Sequence, residues 1–297
     1  MPKKPGAHAT AVLQALLVTF LWSTSWVLIK IGLVDIPALS FSGLRYSLAF
    51  VCLLPFVFGP ANRAALRRLT RRQWGLLALL GVGYYAVVQG GQFVGLAYLP
   101  AATVSLLLNF SAILVALMSM AWLKERPTVQ GWAGILLTLV GSVLYFYPVD
   151  FPKEQILGLG VVCVAMTANA ASSVLGRYAN ARTGIPVLVV TTISMGIGSS
   201  LLLLSGALLQ GIPVLGWKHW LIIGWLAVVN TAFAFNLWNN TLRTLTAVES
   251  SVINNTMLVQ IALLAWVFLG ERLTAQEWAG MLAAGAGVLV VQLHRRS

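Results

Sequence analysis

Amides, hydroxyls and aromatic rings recur at helical spacing inside long apolar runs of this chain, where carboxylates are almost absent. One run carries Trp22, Ser23 and Trp26; another carries Tyr85, Gln89 and Gln92, four and three residues apart and so on one helical face. Ser105 and Asn109 are four apart, as are Asn169 and Ser173, Asn236 and Asn240 (with Trp238 and Asn239 beside them), and Ser251 and Asn255. Such groups suit binding without bond-making. Amides hold the polar ends of a zwitterion or an uncharged organic molecule, while indole and phenol rings stack on a flat apolar side chain. The competing role for each is a plain interhelical hydrogen bond, worth about 0.6 kcal/mol on average within a membrane.

Few charges share these runs. Lys30, Asp35 and Arg45 fall close together around the first break between apolar segments, either as a cluster shaping one mouth of a pathway or as snorkelling cations beside a loop acid. Glu249 is the one carboxylate read as lying within a span, near the start of the ninth. It is either a proton carrier or, as the spacing favours, a helix-start acid that suits the dipole there and meets Arg243.

The elements that must position these groups follow from composition. Of 297 residues, 59% are hydrophobic and 9% charged, against roughly 25% charged in an ordinary soluble domain. Apolar windows fall at 10–33, 37–59, 74–97, 101–123, 128–147, 155–178, 186–210, 217–240, 247–269 and 274–293, broken by Pro37, Pro100, Pro127, Pro152, Pro186 and Pro213 or by charge clusters. Each is close to the 20 or so residues that cross a hydrocarbon core. The predicted fold is an all-α membrane protein of ten transmembrane helices with no separate soluble domain. Lys3 and Lys4 precede an apolar run that continues past Trp22 to Ile31 without a small-residue cleavage site, so it reads as an uncleaved first helix.

With the N-terminus inside, the loops on that side hold fourteen of the nineteen Lys and Arg residues, among them Arg63, Arg67, Arg68, Arg71, Arg72, Lys124 and Arg126. The outer loops hold three: Lys153, Lys218 and Arg272. The positive-inside rule therefore predicts an inner-membrane protein with both termini cytoplasmic. The same placement accounts for the net charge of +12 without nucleic acid, since no basic groove interleaved with aromatics is present. Cys52 and Cys163 sit in different apolar runs and read as small core residues, not as a disulfide or a metal site.

An internal repeat organises the ten spans. Leu99–Gly141 aligns with Leu245–Gly287 at a constant offset of 146, pairing Ser105 with Ser251 and Asn109 with Asn255. Its densest block, Glu125-Arg126-x-Thr128-x-Gln130-x-Trp132-Ala133-Gly134, recurs from Glu271 to Gly280. A weaker echo sets Lys30 opposite Arg177. The halves divide at 1–150 and 151–297, five helices each. Because five is odd, the second half enters the membrane in the opposite sense, the inverted arrangement many transporters use to alternate access. Glycines 131, 134 and 141 in the fifth span and 280, 285 and 287 in the tenth allow close backbone approach, either within the bundle or between two copies.

These residues carry a resemblance. Leu21-Trp22-Ser23-x-Ser25-Trp26 through Lys30, Leu44-Arg45-Tyr46, and the turns Leu123-Lys124-Glu125-Arg126 and Leu269-Gly270-Glu271-Arg272 resemble the drug/metabolite transporter superfamily, in its ten-helix branch with paired EamA-type domains. The likeness covers nearly the whole chain and looks strongest toward bacterial exporters of aromatic amino acids. It implies a central cavity lined by the first, third, fourth, sixth, eighth and ninth spans, with the fifth and tenth peripheral. One departure is that the second half has no clear counterpart of Arg45.

The leading functional expectation is an exporter of amino acids, aromatic ones favoured, and related metabolites, acting by facilitated alternating access as a monomer or homodimer without a cofactor. Proton-coupled antiport of drugs or metabolites is an open alternative, although the first span has no acid. Carriage of anionic nucleotide sugars or sugar phosphates is another, although only Lys30 and Arg45 could neutralise them. An enzyme is disfavoured: His8, His219 and His294 lie at termini or loops, and no metal-binding His pair, catalytic triad or phosphate-binding glycine loop is present.

Overall fold

The computed structural model describes residues 5–111, 113–115, 117–118, 129–148, 152–211, 213–241, 244–245 and 247–294. Every regular element among them is helical. Lipid offers no partner to a backbone N–H or C=O, so a spanning chain must satisfy these groups within its own helices. Among the described residues seven helices are long and apolar enough to cross a membrane: α1 (Pro5–Gly32, spanning from His8), α2 (Ala38–Val57), α3 (Arg71–Tyr98), α5 (Val129–Phe146), α6 (Lys153–Arg182), α7 (Val187–Leu209) and the greater part of α9 (Ala247–Leu269). Shorter apolar helices run at Ala101–Val115 and Ala275–Val291; the first is α4 and the second lies in α10 (Ala275–His294). The remaining element, α8 (217–241), is continuous but widens partway. These ten helices fall on the ten apolar windows. An additional amphipathic helix, Pro60–Arg67, links α2 to α3.

Helix ends obey simple chemistry. Pro37, Pro100 and Pro186 stand at the N-caps of α2, α4 and α7, where a missing N–H costs nothing. Thr70 caps α3 in a reciprocal box with Gln73. Gly211 and Gly270, just beyond α7 and α9, take φ of +80° and +69°, a turn in which a side chain would be strained.

Two helices widen to π geometry, α3 at Gly81–Gln89 and α8 at Val228–Phe233. Adding the repeat offset of 146 to 82–87 gives 228–233, so the widened turns are equivalent positions of the two halves. π-bulges of this kind concentrate at functional positions.

The chain forms two compact units, one from residues 1–30, 99–156 and 233–297, the other from 31–98 and 157–232. In the first, α5 and α10 touch backbone to backbone. A Cβ on Gly134 would lie 2.8 Å from the Gly287 carbonyl oxygen, and one on Gly141 would lie 2.6 Å from that of Gly280. Position numbers rise along α5 as they fall along α10, so the helices are antiparallel. Adding 146 to 134 and 141 gives 280 and 287, so each contact is the image of the other. Thr138 donates to the carbonyl of Ala284, its own equivalent, at 3.4 Å. Equivalent helices that meet antiparallel are what two inverted halves would bring together. The glycine stripes thus serve contact within the chain.

In the second unit α2 packs against α7 by the same device. Gly206 faces Ser40, Gly43 faces Leu203 and Gly196 faces Phe50, again antiparallel. Val57, Leu77, Leu80, Ala179, Ile185, Val189 and Val190 build a buried core there.

Replacing Gly141 with Ala forces backbone apart where helices have no hydrophobic drive to reclose. The expected loss is about 1–3 kcal/mol, read as a lower unfolding temperature in detergent. Gly160→Ala, whose Cβ meets nothing within 4 Å, should leave that temperature unchanged or raise it; equal behaviour of the two variants would refute the glycine contact.

Candidate functional site

The first unit gathers aromatic rings and neutral hydrogen-bonding groups. Trp22, half-buried on α1, meets Phe235 at 5.6 Å and Trp238 at 5.3 Å between ring centroids, both tilted. One residue on, the buried Ser23 hydroxyl lies 2.8 Å from the Thr19 carbonyl and 3.0 Å from Gln260 Oε1, and donates between them. Gln260 Nε2 donates to Thr256 Oγ1 at 3.0 Å and to Thr19 Oγ1 at 3.4 Å. Helical spacing accounts for this: Thr19 and Ser23, like Thr256 and Gln260, are four apart and share a face. Trp26 is buried on the same helix.

Several anticipated residues of this unit have structural partners. Asn109 donates to its repeat equivalent Asn255 at 3.3 Å, and Asn255 in turn donates to the Gly285 carbonyl at 2.8 Å. The buried Ser105 hydroxyl donates to the Ala102 carbonyl of its own helix. Lys30 donates to the Leu99 carbonyl at 2.5 Å. Next to that turn, Glu271 accepts the N–H of Ala101 with both oxygens at 2.9 Å, capping α4. Glu249 accepts from His8 Nε2 at 2.8 Å, joining the start of α9 to the start of α1. Asn240 is exposed. The side chains of Asn236, Asn239 and Ser251, together with Arg243 and the turn at 123–126, lie outside the described residues.

The second unit centres on a buried cation. Arg45 Nε and Nη2 both donate to Thr231 Oγ1, at 3.3 and 3.2 Å. Thr231 occupies the widened turn of α8, and its own hydroxyl proton goes to the Leu226 carbonyl five residues back, at 2.8 Å. The guanidinium carbon lies 5.1 Å from the Tyr46 ring centre and 6.0 Å from that of Phe93. Phe93 is itself held edge-on by Phe41 at 5.1 Å. Tyr46 donates to Gln89 Oε1 at 2.6 Å and meets the buried Tyr85 edge-on at 5.6 Å. Tyr85 and Gln89 both sit in the widened turn of α3, and Gln92 is half-buried one turn on.

Lys30, Asp35 and Arg45 hold separate partners. Asp35 pairs with His219 Nε2 at 3.2 Å, and Arg45 turns to Thr231. Ser173 is exposed and donates to the carbonyl of Asn169, four residues before it. Gln260, Thr19, Thr256, Thr231 and Phe93 were not anticipated. The first three were accessible to the same four-residue polar spacing, and Thr231 to the repeat, since it is the equivalent of Tyr85.

Comparison with known proteins gives a consistent picture. The EamA-like transporter family matches twice, over residues 9–147 and 156–293. An "Uncharacterized transporter YoaV" of Bacillus subtilis is 23% identical over 282 residues, 92% of this chain and 93% of that protein. A "Probable amino-acid metabolite efflux pump" of Salmonella typhimurium is 27% identical over 291 residues, 93% and 92% of the two chains. An "S-adenosylmethionine/S-adenosylhomocysteine transporter" of Chlamydia trachomatis is 24% identical over 275 residues, 88% of this chain and 82% of that one. One solved crystal structure superposes over 97% of this chain and 99% of its own, with a TM-score of 0.68 at 20% identity, a likeness of fold.

The Ser23–Gln260 bond generates a test. Ser23→Ala and Gln260→Leu should each cost about 1 kcal/mol of stability, and the double variant should cost less than both together by about 0.6–1.7 kcal/mol, the range for interhelical side-chain bonds. Strictly additive losses in detergent unfolding would mean that the two side chains do not act as a pair.

Proposed function

This chain belongs to the EamA-like transporter family, and from that premise we propose that it exports amino acids, aromatic ones favoured, and related small metabolites by facilitated alternating access. The observation that carries this reading is the Trp22–Phe235–Trp238 group beside the Ser23–Gln260 network. Three rings offer a surface for a flat apolar side chain, and neutral amides and hydroxyls next to them suit its polar end. The relative named as an amino-acid metabolite efflux pump, aligned over 93% of this chain, supports the same substrate class.

Coupling to protons has little to work with. Among the described residues the acids of α6, α9 and α10 (Glu154, Glu249 and Glu277) all sit in the first turn, and Glu249 is engaged there by His8. On this reading the substrate gradient alone drives flux, and the chain sits in an inner membrane with both termini cytoplasmic, as its basic loops favour. The two repeats, 1–150 and 151–297, would exchange roles between inward-open and outward-open states.

Uptake of labelled tryptophan and phenylalanine into liposomes containing the purified chain tests the reading, with and without a pH gradient. Saturable uptake, indifferent to the gradient and lowered about tenfold or more by Trp22→Ala, is expected from the loss of a stacking surface. Flux of a cationic dye alone, and only with a gradient, would overturn it in favour of an antiporter.

A further inference from the structure

Arg45 is 6% exposed and lies seven residues into α2, about 10 Å from the helix start, so its head does not snorkel to water. A cation held this way is expensive unless an anion answers it. Among the described residues no carboxylate pairs with it. Its only hydrogen-bond acceptor there is one neutral hydroxyl, Thr231 Oγ1, shared by Nε and Nη2 at 3.3 and 3.2 Å. Both distances exceed the 2.7–2.9 Å or so of a charge-assisted bond. Nη1 donates to nothing among the described residues.

The surroundings hold the fork in place without neutralising it. Tyr46 and Phe93 contribute ring faces, Phe93 is locked by Phe41, and Tyr46 is tied to Gln89. These rings restrict the guanidinium plane, and cation–π attraction offsets part of its desolvation. The group is thus preorganised, buried and, among the described residues, lacking a counter-charge. A carboxylate matches what is missing: it is planar, singly charged and accepts two parallel N–H bonds from one edge of a guanidinium. A phosphate dianion would bring a second negative charge that no cation near Arg45 answers.

We infer that Arg45 is the residue that reads the carboxylate of the transported molecule, with Thr231 as the acceptor that keeps the fork aimed when the site is empty. This rests on the transporter role alone, independently of the Trp22 group of the other unit, and narrows the substrates to carboxylate-bearing metabolites.

The test uses the full chain, purified in detergent and reconstituted in liposomes. Thermal unfolding is followed with each of the twenty amino acids and with their carboxamides; liposome uptake is followed with tryptophan, N-acetyltryptophan, tryptophan amide and tryptamine. The wild type should be stabilised by acids and not by the matching amides, and should carry the acids at least about 30-fold better, as a buried charge pair demands. Arg45→Met should erase that preference and leave the unliganded unfolding temperature unchanged or higher, because an uncompensated buried charge has been removed. Arg45→Lys, which keeps the charge but not the fork, should lose at least about tenfold in acid uptake with little change in fold, and serves if the Met variant does not fold. Saturable uptake of amides as good as that of acids would overturn the role of Arg45 and leave the transporter reading standing. Failure of every acid and amide to bind or cross would remove both. A lowered unliganded unfolding temperature in Arg45→Met, with acid preference intact in Arg45→Lys, would make Arg45 a structural residue.

Discussion

A backbone amide or carbonyl left unpaired in hydrocarbon costs several kcal/mol, and the architecture of this chain is a set of answers to that one constraint. It makes every described regular element helical, and it makes any departure from regular helix conspicuous. The two widened turns, Gly81–Gln89 and Val228–Phe233, are such departures, and both carry side chains that matter to the buried cation. Thr231 meets the constraint locally, donating to the carbonyl of Leu226 five residues back, which leaves its oxygen lone pairs to accept from Arg45. Tyr85, at the equivalent position of the other half, packs against Tyr46 beside the same cation. A change of helical register thus delivers two side chains that an unbroken α-helix would have pointed elsewhere.

The repeat explains where symmetry is kept and where it is dropped. Contacts between a residue and its own equivalent occur only at a two-fold axis. Asn109 with Asn255 and Thr138 with Ala284 mark it in the first unit. At those places the residues are small or self-complementary, as an isologous contact requires. Around Arg45 the correspondence fails: aligned at their N-cap prolines, Pro37 and Pro186, α2 and α7 set Arg45 opposite Ser194, and Tyr85 answers to Thr231. A scaffold that must exchange two states gains from equivalent halves. A small organic molecule has no two-fold axis of its own, so the groups that read it need none either.

Much of this was legible in the sequence because lipid leaves so little freedom. Runs of about 20 apolar residues admit one reading, so windows such as 37–59 and 186–210 differ from α2 and α7 by only a few residues at each end. The ungapped match of 99–141 with 245–287 likewise makes the duplication legible, as the two matches of one family model do. Partners were less accessible. The glycines of α5 and α10 signalled close approach without saying to what, because a small residue records the proximity of a neighbour and not its identity. Lys30, Asp35 and Arg45 looked like one cluster because they are near in sequence, yet rotation about a helix axis sends neighbours to different faces. The widened turns had no signature, since the extra residue of a π turn is set by packing and not by residue type. Gln260 is different: its spacing from Thr256 was visible, and a polar inventory extended to every span would have included it.

The two membrane-associated cations show how position decides use. Lys30 lies near the end of α1, where its flexible stem reaches a backbone carbonyl at a turn that Glu271 also caps. There a cation serves as a fastener, and its charge is met by the Leu99 carbonyl and the nearby Glu271 carboxylate. Arg45 has neither the reach nor the neighbours for that role. For a carrier, incomplete satisfaction has a kinetic use. An anion held by a fully desolvated fork alone would leave slowly, because each 1.4 kcal/mol of extra binding lowers the dissociation constant about tenfold. A resident hydroxyl that takes back the fork as the ligand departs lowers the free energy of the empty site and so weakens the hold on the full one. Thr231 stands in that position: good enough to keep Arg45 aimed through the empty half of the cycle, too weak to compete with a carboxylate once one arrives.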